Sequence, residues 1–169
     1  MRRIAPYVGL GVACLVLASQ AAATTTTSVN MSFTEPGVAN LHQGCPVYPN
    51  GFCGNGIALP FGHATETIQF GAGINCSAIT GSPNCDLRTI YLPGGSVIID
   101  ELGTGGSCPG ACQPNPAEPG VGFGSDTVIG GTGAFSGASG SLSSQVRLGG
   151  LASVGSANIV KLTGTITLP

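Results

Sequence analysis

Charge is what this sequence has least of. Asp, Glu, Lys and Arg make up 7% of its 169 residues, with five basic side chains against seven acidic ones. Two of the five, Arg2 and Arg3, stand at the extreme N-terminus, so the rest of the chain holds only Arg88, Arg147 and Lys161. Three cations cannot neutralise a run of phosphates, which argues against nucleic acid as a partner. Nor do they make the basic face that holds a protein to an anionic membrane. Aromatics are scarce at 5%, and tryptophan is absent. Beyond the first 23 residues no apolar run is long enough to span a bilayer, so no stable membrane insertion is expected. No useful stretch there carries the helical period either. A nucleophile elbow, a phosphate-binding glycine loop, a dinucleotide fingerprint and a metalloprotease helix are all missing. No catalytic residue and no cofactor is therefore expected.

What is present starts with Met1-Arg2-Arg3, an apolar run from Ile4 to Ala18, and the small residues Ala21-Ala22-Ala23. This pattern predicts a secretory signal peptide over residues 1–23 and an exported, periplasmic, cell-surface or extracellular domain over 24–169. A lipoprotein reading through Cys14 fits less well, because the apolar run continues past that cysteine. The remaining 146 residues suffice for one domain with a core, and their net charge is −4. They hold 12 prolines less Pro6 and nearly all of the 29 glycines, a composition that approaches disorder. Apolar residues at strand spacing and the shortage of charge argue instead for a compact, turn-rich fold.

Six cysteines follow the leader: Cys45, Cys53, Cys76, Cys85, Cys108 and Cys112. An even number in an exported chain predicts three disulfides, with fifteen connectivities open. Sequential pairing is expected (Cys45–Cys53, Cys76–Cys85, Cys108–Cys112), because each pair brackets a Pro-, Gly- or Asn-bearing loop.

Alternation locates the strands. Ser28–Phe33 is a first strand, and Thr34–Phe61 reads as mostly irregular. Thr65–Phe70 places Glu66, Ile68 and Phe70 on one face. Leu87–Leu92 and Ser96–Leu102 are joined through Pro93-Gly94-Gly95, a hairpin turn signal. Gly103–Ser125 lacks periodicity and reads as a long loop. Leu142, Val146 and Leu148 share one face. In the last segment Val160, Leu162, Ile166 and Leu168 form the inner face, with Lys161, Thr163, Thr165 and Thr167 outside. One-sided alternation of this kind belongs to antiparallel sheets. The domain is expected to be all-β, a small closed antiparallel sheet.

Val128-Ile-Gly-Gly-Thr-Gly-Ala-Phe-Ser-Gly-Ala-Ser-Gly resembles the Gly-Gly-Thr-Gly-x-Phe-x-x-Ala-x-Gly segment of the allene oxide cyclase and dirigent barrel superfamily. More closely, it is similar to small exported bacterial proteins of that type, whose roles are largely unassigned. Gly62-His63-Ala64-Thr65, Gly94-Gly95-Ser96-Val97 and Thr163-Gly-Thr-Ile-Thr-Leu also look like that group. The resemblance implies an eight-stranded antiparallel β-barrel, here with long Gly/Pro-rich, disulfide-stapled loops. In plants such barrels cyclise an unsaturated fatty-acid epoxide or steer the coupling of phenolic radicals in the barrel mouth. The family's catalytic residues lie outside the glycine motif and match no position here.

A few residues invite chemistry. Asp100 and Glu101 are adjacent carboxylates, and neighbours on a strand face opposite ways, so they cannot share a substrate. The common reading is a solvated carboxylate near a strand end; if one of the two points inward with Ser96 and Ile98, it is Asp100. Arg88, beside Ile90, either faces inward to hold an acidic or phenolic ligand, pairs with Asp86 or Asp100, or stands exposed as a cation that discourages edge pairing. His42, Cys45, Cys53 and His63 contain a His-x2-Cys step, but the spacing fits no zinc finger and exported cysteines pair, so no metal is expected. Gly122-Phe-Gly-Ser-Asp126-Thr-Val followed by Gly130-Gly-Thr-Gly offers a calcium-repeat reading. Against it, Phe135 stands where the second Asp belongs. Asn30-Met-Ser and Asn75-Cys-Ser are glycosylation sequons. The leading expectation is a non-enzymatic exported barrel that binds an apolar or aromatic small molecule or serves as an envelope module. An allene oxide cyclase- or dirigent-like enzyme or steering protein is the alternative, and a calcium-stabilised surface protein the second.

Overall fold

The computed structural model describes residues 23–36, 45–47, 51–70, 86–101, 121–147 and 157–169. The expected leader, His42, Asn75, Leu148 and four of the six cysteines lie outside these residues. Eight strands follow in order: β1 (Thr25–Pro36), β2 (Gly51–Leu59), β3 (Gly62–Phe70), β4 (Asp86–Leu92), β5 (Gly95–Asp100), β6 (Val121–Gly133), β7 (Ser139–Arg147) and β8 (Ala157–Leu168). Each pairs antiparallel with the next, and β8 returns to β1 from Thr25↔Leu168 to Pro36↔Ala157. The result is a closed barrel, which removes every sheet edge.

Alternation explains the best strands directly. Along β1, Val29, Met31 and Phe33 are buried while Ser28, Asn30, Ser32 and Thr34 are exposed. β8 repeats the pattern with Val160, Leu162 and Ile166 inside. The expected hairpin at Pro93-Gly94 is present as a two-residue turn between Leu92 and Gly95.

Two regions depart from expectation. Gly51–Leu59, within the segment read as irregular, is strand β2, paired with β1 on one side and β3 on the other. Its glycines at 51, 54 and 56 carry no side chains, so they cannot display a period of two, and Ala58 is its one buried apolar residue. Likewise β6 begins at Val121, inside the expected loop, and its Gly122 and Gly124 hide the alternation in the same way. Gly130, Gly131 and Gly133, which look like turn glycines, belong to the same strand, and the turn follows at residues 134–137.

The three tight turns (β2–β3, β4–β5 and β6–β7) gather at one end of the barrel, and the long connections join strands at the other. At the turn end Phe135, 3% exposed, packs edge-on against Phe61 with ring centroids 5.2 Å apart. A Cβ on Gly131 would stand 2.9 Å from the Cβ of Phe135. That glycine leaves room for the aromatic plug, which gives the Gly-x-Gly-x-Phe motif a structural role. Above it, Met31, Phe33, Ile90, Val97, Ile99, Leu142 and Leu162 fill the lumen with apolar side chains.

Cys45 and Cys53 form a disulfide, with Cα atoms 5.6 Å apart, as sequential pairing requires. The bridge pins Pro46 beside the start of β2. Replacing both cysteines by serine is expected to cost about 2–3 kcal/mol for this short loop, read as a lower urea midpoint under non-reducing conditions.

Candidate functional site

The lumen changes character toward the end that carries the long connections. On strand after strand, the next inward position beyond the apolar residues is polar. Phe33 is followed by Glu35, Ala64 by Glu66, Ile90 by Arg88, Ile99 by Glu101, Val128 by Asp126, Leu142 by Ser144, and Val160 by Asn158. β2 alone has nothing there, and its position is taken by Gly54. Glu35, Glu66, Arg88, Asp126 and Asn158 are all buried. A period of two carries the inward face straight from a hydrocarbon core into a charged layer.

Arg88 organises that layer. It is the largest fully buried side chain, 1% exposed. Its Nε donates to Glu101 Oε1, and Nη2 lies 3.4 Å from Glu101 Oε2. Nη1 donates to Glu66 Oε2 and, at 3.2 Å, to Glu35 Oε1. Three carboxylates from three places in the barrel thus converge on one guanidinium, whose fixed fork suits such sharing. Asn158 Nδ2 donates to the other Glu35 oxygen at 3.1 Å, and Ser144 Oγ donates to Asp126 Oδ1 at 3.2 Å. Among the described residues, the buried Glu66 Oε1 and Asp126 Oδ2 find no hydrogen-bond partner.

Of the residues singled out from sequence, Arg88 does point inward. It is not free to hold an acidic ligand, because Glu35, Glu66 and Glu101 already surround it. Asp100 requires correction. Val97 and Ile99 are fully buried, so Asp100 lies on the outer face of β5, and the inward carboxylate of the pair is Glu101. The Glu101 N–H donates to Asp86 O at 2.9 Å, which extends the ladder by one residue and fixes that direction. The sequence misled because Val97, Ile98 and Ile99 are apolar in both phases, and the β5–β6 register shifts between Ile98 and Ile99. Asp126 also departs from the calcium-repeat reading: it sits on a barrel strand, pointing into the lumen, 2% exposed. His63 is exposed on β3, while Cys45 and Cys53 are bridged. Among the described residues no group of three or more His, Cys, Asp or Glu has the geometry to hold a metal ion.

Burial and crowding shift the titration of this layer. Burial pushes Glu66 up to about 7, against the opposing pull of Arg88, and the neighbouring Glu35 and Glu101 charges add to the rise. Burial likewise raises Asp126 to about 6, with Glu101 adding to it and the Ser144 hydrogen bond opposing. Burial works against the charge on Arg88, but Glu101, Glu66 and Glu35 outweigh it, so the guanidinium stays ionised. One cation cannot balance four carboxylates, and Glu66 and Asp126 answer by holding their protons to higher pH than usual.

A hollow of about 370 Å³ opens beside this layer, lined by Pro36, Pro46, Gly54, Thr65, Glu66 and Tyr91 among others. Its size falls within the range of small-molecule sites. Tyr91, 47% exposed, supplies an aromatic face, and the disulfide holds Pro46 in the wall. Gly54 matters here through close approach. A Cβ in its place would stand 2.6 Å from Glu66 Oε1 and 3.2 Å from Glu35 Cγ. Gly54→Ala is therefore expected to displace the Glu66 carboxyl and destabilise the fold by about 1–3 kcal/mol, as overpacking does, while Gly56-flanking positions outside the lumen tolerate change. Denaturation of the single variant checks this; an unchanged midpoint would show that Glu66 is not held there.

No family model and no curated protein matches this chain. Among solved structures, a pterocarpan synthase dirigent protein is similar over 89% of this chain and 88% of its own, at 12% identity and a TM-score of 0.43. The barrel itself is defined by its own strand ladders, independently of that likeness.

Proposed function

We propose that this protein is an exported barrel that holds a small apolar or aromatic molecule bearing a hydroxyl group, without transforming it. The observation that carries the reading is the meeting of the hollow with the charged layer. Tyr91, Pro36 and Pro46 offer apolar contact, and Asn55 and Thr65 offer polar ends, with the Glu66 carboxyl sealed on the lumen side of the wall. The Thr65 hydroxyl and the Asn55 amide can exchange hydrogen bonds with a ligand hydroxyl. Anionic ligands are disfavoured there, because the nearest cation is already enclosed by carboxylates. The Cys45–Cys53 bridge and the leader-like N-terminal sequence support export.

The raised Glu66 favours a second reading, an enzyme or steering protein of the allene oxide cyclase or dirigent type. A carboxyl that titrates near neutrality can give and take a proton on a bound intermediate. A stereochemical effect on epoxide cyclisation or phenolic coupling that vanishes in Glu66→Gln supports that alternative.

Native mass spectrometry of protein taken from its host's exported fraction tests the leading reading. A reproducible extra mass is expected, lost on denaturation and lost in Tyr91→Ala. A bare polypeptide mass, together with no calorimetric binding of hydroxylated aromatics, contradicts it and leaves an envelope structural module.

A further inference from the structure

On the outer face of β7 and β8, across the wall from the lumen, the remaining positive charge is gathered in one place. Beyond residue 23 the sequence has three cations, and Arg88 is sealed inside. The other two, Arg147 on β7 and Lys161 on β8, are both exposed. In the ladder Gln145 faces Lys161 and Arg147 faces Ile159, which makes the two cations diagonal neighbours. Like charges so placed repel. Seven acidic residues were available to separate or neutralise them. The carboxylates of Glu35, Glu66 and Glu101 are instead spent on Arg88 inside the barrel.

These two side chains, with Gln145 and Ile159, line a hollow of about 210 Å³. Its chemistry is specific: a guanidinium fork, an ammonium, an amide donor, and an apolar wall from Ile159, 40% exposed. We propose that this hollow binds a small organic anion, an acid group joined to an apolar body. Arg147 grips the carboxylate or sulfonate through paired N–H donors, Lys161 adds a point charge, and the body lies against Ile159. A bound anion removes the repulsion between the two cations, so the site is complete only when occupied. It is separate from the lumen site, and either can fail without the other.

Amide chemical shifts of the whole protein, titrated with benzenesulfonate, benzoate and inorganic sulfate, test the proposal. The two organic anions are expected to shift the Gln145, Arg147, Ile159 and Lys161 amides saturably, and added NaCl to weaken them. Arg147→Gln and Lys161→Gln should each weaken binding about tenfold, as loss of one charge-assisted contact does. Ile159→Ser should weaken benzenesulfonate and leave sulfate unchanged. All three variants replace exposed side chains and are expected to melt like the parent protein. Absence of saturable shifts at these amides, or unaltered affinity in the Arg147→Gln/Lys161→Gln double variant, overturns the proposal. Sulfate binding as tightly as benzenesulfonate overturns the organic-anion assignment.

Discussion

Arg88→Met should be among the most destabilising single changes in this protein, costing about 3–5 kcal/mol at neutral pH, the usual penalty for breaking a buried ion pair. Methionine has nearly the right length and no steric quarrel with the lumen, so the loss is electrostatic. Without the guanidinium, Glu35, Glu66 and Glu101 face one another unpaired, with Asp126 close by. Glu66, which Arg88 holds down, then titrates higher still, and the folded protein binds a proton that the unfolded chain does not. Stability in the variant is accordingly recovered as pH falls. Urea denaturation of parent and variant at about pH 8 and about pH 5 should show the gap narrowing by more than half. A pH-independent gap would mean that Arg88 acts through packing alone.

The parent protein should itself grow less stable as pH rises toward 8, opposite to the common behaviour of carboxylate-rich proteins. Glu66 moves from 4.5 to about 7 on folding, and Asp126 from 3.8 to about 6. For an acid raised in this way the folded state holds the proton more tightly. Its contribution is fully present below the unfolded value and disappears as pH climbs through the folded one. The window is therefore 4.5 to about 7 for Glu66, with Asp126 adding to it from 3.8 to about 6. For Glu66 the effect is on the order of 3 kcal/mol, from the free-energy equivalent of its shift. Below the ordinary carboxylate range every acid around Arg88 is protonated and the cation loses its countercharge, which bounds the stable region from below. Glu66→Gln keeps an oxygen for Arg88 but has no proton to lose. It should flatten the profile across that window and exceed the parent at about pH 8. A variant weaker than the parent at that pH would show that ionised Glu66 is a net stabiliser.

Much of the barrel was legible in the sequence, and the reason is mechanical. β1, β4 and β8 turn every second side chain inward over most of their length, and hydrophobic alternation records that act. β2 and the start of β6 could not be read, because glycine occupies the positions where alternation would appear. These strands are held by their neighbours' ladders instead. The site was half legible. Arg88 was visible as a cation on a strand, and Glu66 as a member of an inward face. Glu35 escaped notice because β1 runs to Pro36, three residues past its last apolar side chain, Phe33. Glu101 was missed through the wrong phase for β5, where three consecutive apolar residues leave the face undetermined. A rule would have found them all: carry each apolar face two residues further and ask whether a charge stands there.

The central claim is that Glu66 is a buried carboxyl, held by Arg88 in an overcrowded acidic layer inside the barrel. Its titration can be followed directly, through the side-chain carboxyl carbon of Glu66 assigned by comparison with Glu66→Gln. The account predicts a midpoint at about 7. That midpoint should rise further in Arg88→Met at a pH where the variant is folded. A midpoint in the ordinary range of exposed glutamates, unmoved by loss of Arg88, would contradict it.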